Sequence, residues 1–359
     1  MARVPSSKFW TGKRVLITGH SGFKGGWLVH WLSVLGADLT GISLPPDSDP
    51  SLFDLTDVAA NCDSRFADLR DAANLGKAVA GQTYDIVIHM AAQALVRGSI
   101  ADPVDTFATN VQGTVNLLEA LRRNLPAATL VITTDKVYRN DGLGRPFGED
   151  DPLGGHDPYS ASKAACEIAV QSYRSTYFQA AGARLATARG GNVIGGGDFA
   201  EDRIVPDCVR ASLSGNELTL RHPEATRPWQ HVLDCLNGYI LYAEDLHGRA
   251  DCPTALNIGP DMDRPVSVGD VATAMQSALG VTQGWVHQPV AGSVEAQLLA
   301  LDPSRAKQAL AWENLLDSQQ AINMTAHWYR DWQSGGSMRE TTVQQLQEFT
   351  RMAETAGHE

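Results

Sequence analysis

The chain has 359 residues, roughly two folding units at about 150 residues each, and 43% of them are hydrophobic against 19% charged. Its 29 basic and 41 acidic residues leave a net charge of −12, which argues against a surface that tracks nucleic-acid phosphates or an anionic membrane, though a small anion can still bind locally. No stretch approaches the ~18 to 20 uncharged apolar residues of a membrane-spanning helix.

Arg14 to Thr18 is a short apolar run, and from Phe23 the residues Phe23, Trp27, Leu28, Trp31, Leu32 and Leu35 recur at helical spacing. This predicts strand, turn, helix. Gly36 ends the helix, Leu39 to Leu44 forms a second strand, and Pro45-Pro46 stops it. The unit is βαβ, whose natural home is a parallel sheet. Runs at Asp85 to Met90, Thr129 to Thr133 and Arg184 to Arg189 read as further buried strands separated by amphipathic stretches of helix length. A helix over Thr106 to Leu121 would put Phe107, Val111, Val115 and Leu118 on one apolar face. Another, over Tyr159 to Phe178, repeats Ala161, Ala165, Ala169 and Tyr173 at four-residue spacing, a stripe suited either to a close helix partner or to the sheet.

After Gly190 the chain turns Gly-rich and Pro-rich, with Gly195 to Gly197, His222-Pro223, Arg227-Pro228 and Gly259-Pro260, which is the type of backbone that carries binding loops. Final helices are expected near Val268 to Leu279 and Leu316 to Trp332, with a polar, frayed tail from Met338 onward. The five cysteines are scattered and never form a Cys-x-x-Cys pair, so reduced thiols and no metal site are expected. The start, Met-Ala-Arg-Val-Pro-Ser-Ser, lacks an apolar signal core, and the expected address is cytoplasmic.

Gly19, Gly22 and Gly25 close the first strand and open the first helix, where missing Cβ atoms let the backbone approach a pyrophosphate and the helix start offers free amides. Phe23 and Lys24 lie in the same turn. The expected fold is therefore α/β: a Rossmann-like doubly wound parallel sheet over residues 1–190, completed by segments near 230–260, with a smaller mixed α/β substrate-binding lobe over 191–359. Asp68 and Leu69 would meet the adenine, and Ala91 and Ala92 would line the cofactor path. An acidic residue usually ends the second strand and selects NAD through the adenosine ribose. Here Ser43-Leu44 stands instead, and Lys24 can favour an extra phosphate, so the residues themselves leave NAD and NADP both open.

Tyr159 and Lys163 are four apart at the start of a helix, hence on one face, with Pro158 suited to the first turn. A tyrosine titrates near pH 10, so a neighbouring ammonium is needed to make phenolate accessible, and Lys163 is expected to supply it. The glycine spacing and this pair resemble the short-chain dehydrogenase/reductase superfamily, whose Ser/Thr position at the end of the fifth strand falls on Thr134. Asp135-Lys136, next in the chain, adds an acid and a base that a simple reductase or epimerase does not need. Together with Lys8-Phe9-Trp10, Gly19 to Gly25, Gly154 to Ser160, Gly191 to Asp198 and Arg227 to Val232, the pair makes the chain, from Lys8 to Trp332, similar to the nucleotide-sugar 4,6-dehydratases, and among them to the CDP-glucose branch.

That resemblance implies NAD as cofactor and CDP-glucose as substrate. Oxidation at C4 acidifies the C5 proton, water leaves across C5 and C6, and the hydride returns to C6. Thr134 would bond O4, Tyr159 take its proton, Lys163 hold the nicotinamide ribose, and Asp135 donate to the departing C6 hydroxyl. Lys136 would take the C5 proton, orient a water or tune Asp135. Arg203 and Arg227 would meet the diphosphate and Asn192 a phosphate at the lobe junction, while Trp229 and His231 pack. The two helices over 106–121 and 159–178 are those through which the superfamily forms homodimers. A sugar-nucleotide 4-epimerase or 4-ketoreductase would share the glycine turn, Thr134, Tyr159 and Lys163 but not need Asp135-Lys136; a non-catalytic nicotinamide-binding protein would need no intact acid and base groups.

Overall fold

Val15 and Ile17 of the first strand pack into one apolar cluster and Leu16 into another, and all three are fully buried, so the strand needs cover on both faces. The computed structural model, which describes residues 3–227, 229–261, 266–289 and 299–355, supplies that cover. Pro228 of the Arg227-Pro228 pair lies outside the described residues.

Strands β1 (Arg14–Thr18), β2 (Asp38–Ser43), β3 (Asp63–Phe66), β4 (Ile86–His89), β5 (Ala128–Thr134) and β6 (Arg184–Gly190) are followed by β7 (Asn192–Ile194), β8 (Leu218–Leu220), β9 (Thr226–Arg227), β10 (Trp229–His231), β11 (Ala255–Ile258), β12 (Val266–Ser267) and β13 (Trp285–His287). Seven of them form one sheet in the order β11-β6-β5-β4-β1-β2-β3, parallel throughout. The others pair in twos: β7 with β10 and β8 with β13 in parallel, β9 with β12 antiparallel. The larger helices are α1 (Phe23–Val34), α2 (Ala72–Val79), α3 (Gly113–Leu121), α4 (Pro158–Tyr173), α5 (Ile204–Ser214), α6 (Val232–Gly248), α7 (Val268–Ala278), α8 (Ser318–Gln333) and α9 (Met338–Thr355). Helices α1 and α6 cover one face of the sheet and α2, α3 and α4 the other, which is the doubly wound arrangement expected. Every residue of α6 from Val232 to Leu246 is buried, including Asp234, Asn237, Glu244 and Asp245, each of which has hydrogen-bond or ion-pair partners.

Two expectations are corrected. In the helical run ending in α3, the inward residues are Thr106, Asn110, Thr114, Leu117 and Leu121, whereas Phe107 is 40% exposed and Val111 and Val115 are half-buried. Of the anticipated face only Leu118 is fully buried. The apolar periodicity there marks a side that a single chain leaves open: Val104 and Phe107 lie on it, exposed by 79% and 40%, and Ile100, on the short helix just before, is exposed by 59%. The stripe of Ala161, Ala165, Ala169 and Tyr173 is likewise half-buried, and the sheet-facing side of α4 is built instead by Cys166 and Val170.

The tail is not frayed. Met338, Thr342, Leu346, Phe349 and Ala353 recur on one side of α9, all buried, and dock on α1 and α8. Phe349 meets Trp31 edge-on with ring centroids 5.6 Å apart, and Thr342 accepts a hydrogen bond from the Trp328 indole at 3.0 Å. Intervening Arg, Glu and Gln residues lower the average hydropathy of the segment without disturbing that face. The described cysteines are all free thiols, four buried and Cys62 half-buried. No helix is long and apolar enough to cross a membrane, and no cluster of metal-ligating side chains occurs among the described residues.

Replacing Phe349 by Ala removes a fully buried ring and should cost about 3 to 5 kcal/mol in urea-induced unfolding; a loss below about 1 kcal/mol would mean that α9 contributes little to the folded core.

Candidate active site

Between β1 and α1 the chain turns at Gly19, which has φ +80° and where a Cβ would lie 2.8 Å from the amide nitrogen of Ala91. At Gly25 a Cβ would lie 2.0 Å from the Gly19 carbonyl oxygen. These two glycines are demanded by the protein's own packing, because α1 starts hard against the turn. Gly22 is different: its nearest neighbour would be 3.5 Å away. It is the N-cap of α1, with no side chain to cap the helix and no acid in the first turn. The arrangement fits a diphosphate, which would find amides with no side-chain acceptor and room for close approach. The Thr18 hydroxyl accepts from the Met90 and Ala91 amides at 3.2 Å each, tying β1 to β4 and setting half-buried Ala91 and Ala92 beside the turn.

Two sequence expectations about the ribose change here. The Ser43 hydroxyl is buried; it donates to Ser21 Oγ at 2.9 Å and lies 3.0 Å from Nδ1 of His20. His20 in turn reaches Ser64 Oγ at 2.7 Å, its ring held neutral by burial with a pKa of about 4. The hydroxyl expected at the adenosine ribose is thus engaged inward. Lys24, the residue considered for an extra phosphate there, points the other way: its Nζ stands 5.6 Å from the ring centroid of Tyr239 on α6, and its charge bears on Lys163. Asp68 is paired with Arg70 at 2.6 Å, which holds its carboxyl below the ordinary range, and Leu69 is buried.

At the start of α4, Asp157 caps the helix by accepting from the Ser160 amide, Pro158 occupies the first turn, and the Tyr159 amide donates to Ser99 Oγ at 3.1 Å. Lys163 Nζ donates to the Ile132 carbonyl of β5 at 3.1 Å; burial lowers its pKa, with Lys24 acting in the same direction and Cys166 and Glu167 against it. Tyr159 is 9% exposed. Burial raises its pKa, and the opposing influences are the Lys136 charge, a hydrogen bond with Thr134, and Arg203. The charge that eases ionisation of the phenol therefore comes first from Lys136, not from Lys163 as expected.

Thr134 ends β5 and caps the next turn, accepting from the Lys136 amide at 3.4 Å while its hydroxyl donates to Oδ1 of Asp135 at 2.9 Å. Lys136 Nζ donates to the same Oδ1 at 3.1 Å and to Oδ1 of Asn192 at 3.4 Å. Asp135 is fully buried, behind a wall that Thr134 and Lys136 present to the cleft, and its Oδ2 has no hydrogen-bond partner among the described residues. A buried carboxyl oxygen left open beside a cleft is a place for one more polar group.

The cleft has a volume of about 1220 Å³ and runs from Phe23 and Lys24 past Thr134, Lys136 and Tyr159 to Asn192, Arg203 and Arg227. Cations on its described lining (Lys24, Arg97, Lys136, Arg203, Arg221, Arg227) outnumber the acids Asp157, Asp198, Asp202 and Asp207, so an acidic chain offers an anion a locally basic site. Arg203 is paired with Asp198 at 2.8 Å, and Arg227 donates to the Thr226 carbonyl at 2.8 Å. Trp229, which also lines the cleft, donates to the Val266 carbonyl, and His231 accepts from the Leu233 amide. Sequence reasoning missed the rim, where Asp202 meets Arg97 at 2.8 Å and Arg221 at 3.3 Å. Nothing in local spacing signals a bridge between residues so distant in the chain.

A model of the NAD dependent epimerase/dehydratase family matches residues 15–259. The CDP-glucose 4,6-dehydratase of Salmonella typhimurium is 37% identical over 349 residues, covering 95% of this chain and 97% of that protein. The dTDP-glucose 4,6-dehydratase of Streptomyces griseus is 28% identical, covering 89% and 95%. Among solved structures, a UDP-glucose 4-epimerase from Thermotoga maritima with UDP-glucose superposes with a TM-score of 0.79 at 21% identity, covering 89% of this chain and 99% of that one. MoeE5 in complex with UDP-glucose and NAD does so at 0.76 and 23%, with coverage of 89% and 99%; at these identities the likeness is one of fold.

The two kinds of glycine are separable. Gly22→Ala should melt like the parent yet weaken NAD on the order of tenfold in a calorimetric titration, since its methyl would stand where the ligand approaches. Gly25→Ala should lower the melting temperature itself, and equal melting of both variants would refute the distinction.

Proposed function

The chain belongs to the NAD dependent epimerase/dehydratase family, and from that premise we propose that it converts CDP-D-glucose to CDP-4-dehydro-6-deoxy-D-glucose for deoxysugar biosynthesis. The observation that carries this reading is the Asp135–Lys136 pair, held at 3.1 Å, with Lys136 lining the cleft beside Thr134 and Tyr159 and Asp135 buried directly behind them. A 4-epimerase has no use for that pair.

Residues 1–190, with the helix and strand between 230 and 260, form the cofactor half, and the rest is mainly the nucleotide-sugar lobe. The Gly19 to Gly25 turn, with Phe23, Lys24, Ala91 and Ala92, holds NAD; Asp68 and Leu69 stand toward the adenine and Lys163 toward the nicotinamide ribose. Bound NAD supplies a hydride acceptor at C4 and a hydride donor at C6. Lys24, on the Tyr239 side, is turned away from the place where an extra ribose phosphate would be met, which supports NAD as the cofactor.

Asn192, Arg203 and Arg227 hold the diphosphate of the sugar nucleotide by charge-assisted hydrogen bonds. Thr134 orients O4 and Tyr159 accepts its proton, helped by the Lys136 charge against the cost of burial. The resulting 4-keto group makes the C5 proton acidic. Lys136 and Asp135 are close enough to share one proton. Moved onto Asp135, that proton leaves Lys136 a neutral amine able to take the C5 proton and makes Asp135 an acid able to donate to the C6 hydroxyl. A single internal transfer thus creates both groups the elimination needs.

The same reading includes a homodimer. The exposed stripe of Ile100, Val104 and Phe107, with Ile168 at 58% exposure on neighbouring α4, is an apolar side suited to its own copy across a two-fold axis. Val104→Glu should convert the dimer to monomers in light scattering; a wild-type monomer at micromolar concentration would remove this part of the proposal.

The reaction is tested with CDP-glucose deuterated at C4 and catalytic NAD. Loss of water with deuterium at C6 is expected, and an unchanged mass with an isomerised sugar would overturn the dehydratase in favour of an epimerase. Asp135→Asn should still oxidise C4, read as the near-ultraviolet absorbance of reduced nicotinamide, but lose water at least about 100-fold more slowly.

A further inference from the structure

Beneath the cleft lies a second, fully buried ion pair. Glu167, one turn beyond Lys163 on α4, and Arg189, the penultimate residue of β6, form a two-pronged bridge: Arg189 Nε donates to Oε1 and Nη2 to Oε2, each at 3.0 Å. Thr133 of β5 donates to Oε1 at 2.6 Å and Thr187 of β6 to Oε2 at 2.8 Å. Arg189 Nη1 donates onward to the Tyr138 hydroxyl at 2.9 Å and the Glu149 carbonyl at 3.0 Å, and Tyr138 donates to Asn257 Oδ1 of β11 at 2.6 Å. Strand alternation explains the gathering. Val131 and Leu185 face the α4 side of the sheet, so Thr133, Thr187 and Arg189 follow them on the same side and meet Glu167 there.

The segments that carry Thr134, Lys136, Tyr159 and Lys163 are tied to this ion pair. Helix α4 brings Tyr159 and Lys163; β5 reaches Thr134 one residue after Thr133; Tyr138 is two residues past Lys136; and β6 runs from Arg189 toward Asn192. A buried ion pair is a poor source of net stability, since desolvation offsets most of its attraction and an apolar pair of like volume often serves as well. What a fully satisfied, two-pronged pair does supply is a fixed geometry.

We propose that Glu167, held by Arg189 and Thr133, is a positioning residue that sets the register of α4 against β5 and so places the Tyr159 phenol against Thr134 and Lys136. This rests on the reaction proposed above for its consequence in turnover, but the placement of Tyr159 is measurable without substrate.

The test uses Thr133→Val, which removes the link from β5 and leaves the Glu167–Arg189 pair, and Thr133→Ser, which restores the hydroxyl. Ionisation of Tyr159 is read as the ultraviolet difference between each protein and its own Tyr159→Phe counterpart, and turnover with CDP-glucose is followed in parallel. In Thr133→Val the ionisation midpoint should rise by about one pH unit as the phenol loses its neighbours, and kcat should fall about tenfold with KM within about twofold. Thr133→Ser should recover both. The apolar double variant Glu167→Met/Arg189→Met should show the same two changes at an undiminished melting temperature. An unmoved Tyr159 midpoint in folded Thr133→Val overturns the inference, as does a fall in melting temperature alone. A wild-type protein inert toward CDP-glucose strikes the reaction instead, and the Tyr159 titration still decides the positioning role.

Discussion

All seven strands of the main sheet run in one direction, and everything else in the molecule follows from that constraint. Parallel neighbours must be joined by crossovers, so helices cover both faces and the only backbone left near a ligand is the edge where the strands end. At that edge β1 delivers the glycine turn, β4 the two alanines, β5 Thr134 with Asp135 and Lys136, and β6 the approach to Asn192. The register of β5 on β6, with Thr134 opposite Gly190, is what allows Lys136 to reach an asparagine far along the chain.

What could be read from the sequence was whatever short spacing encodes. Gly19, Gly22 and Gly25 fall within one turn, and Tyr159 and Lys163 within one turn of helix, so their geometry is set locally and came through unchanged. Thr134, Asp135 and Lys136 were identified by their place at a strand end, but not that Asp135 would be sealed behind its neighbours, since burial depends on what other segments bring. The inward turn of Ser43 depends on His20 and Ser64, and the direction of Lys24 on α6; neither partner is adjacent in the chain. Glu167 was visible four residues past Lys163, but its meaning required Arg189 beneath the same helix. Periodicity found the apolar side at Phe107 and Val111 but cannot say whether such a side meets the core or another molecule. In α9 the error ran the other way, because average hydropathy hid a sound buried face.

The two ion pairs beneath and beside the cleft illustrate opposite uses of one interaction. In Glu167–Arg189 both carboxylate oxygens are filled by four donors and the guanidinium is satisfied as well, so no arrangement nearby competes with the one observed. In Asp135–Lys136 one carboxylate oxygen carries two donors and the other none. Such a half-satisfied pair is costly to bury and easily changed by a proton or a ligand. The first is a closed network, and the second leaves one acceptor open.

The edge-on contact of Phe349 with Trp31 joins the last helix to the first one of the sheet domain. Trp31 lies in α1, whose opposite end forms the glycine turn, and part of its packing comes from a ring more than three hundred positions later. In a chain growing from the ribosome this contact has to wait for nearly the whole of synthesis, so the packing of α1 is completed only after the last helix has emerged.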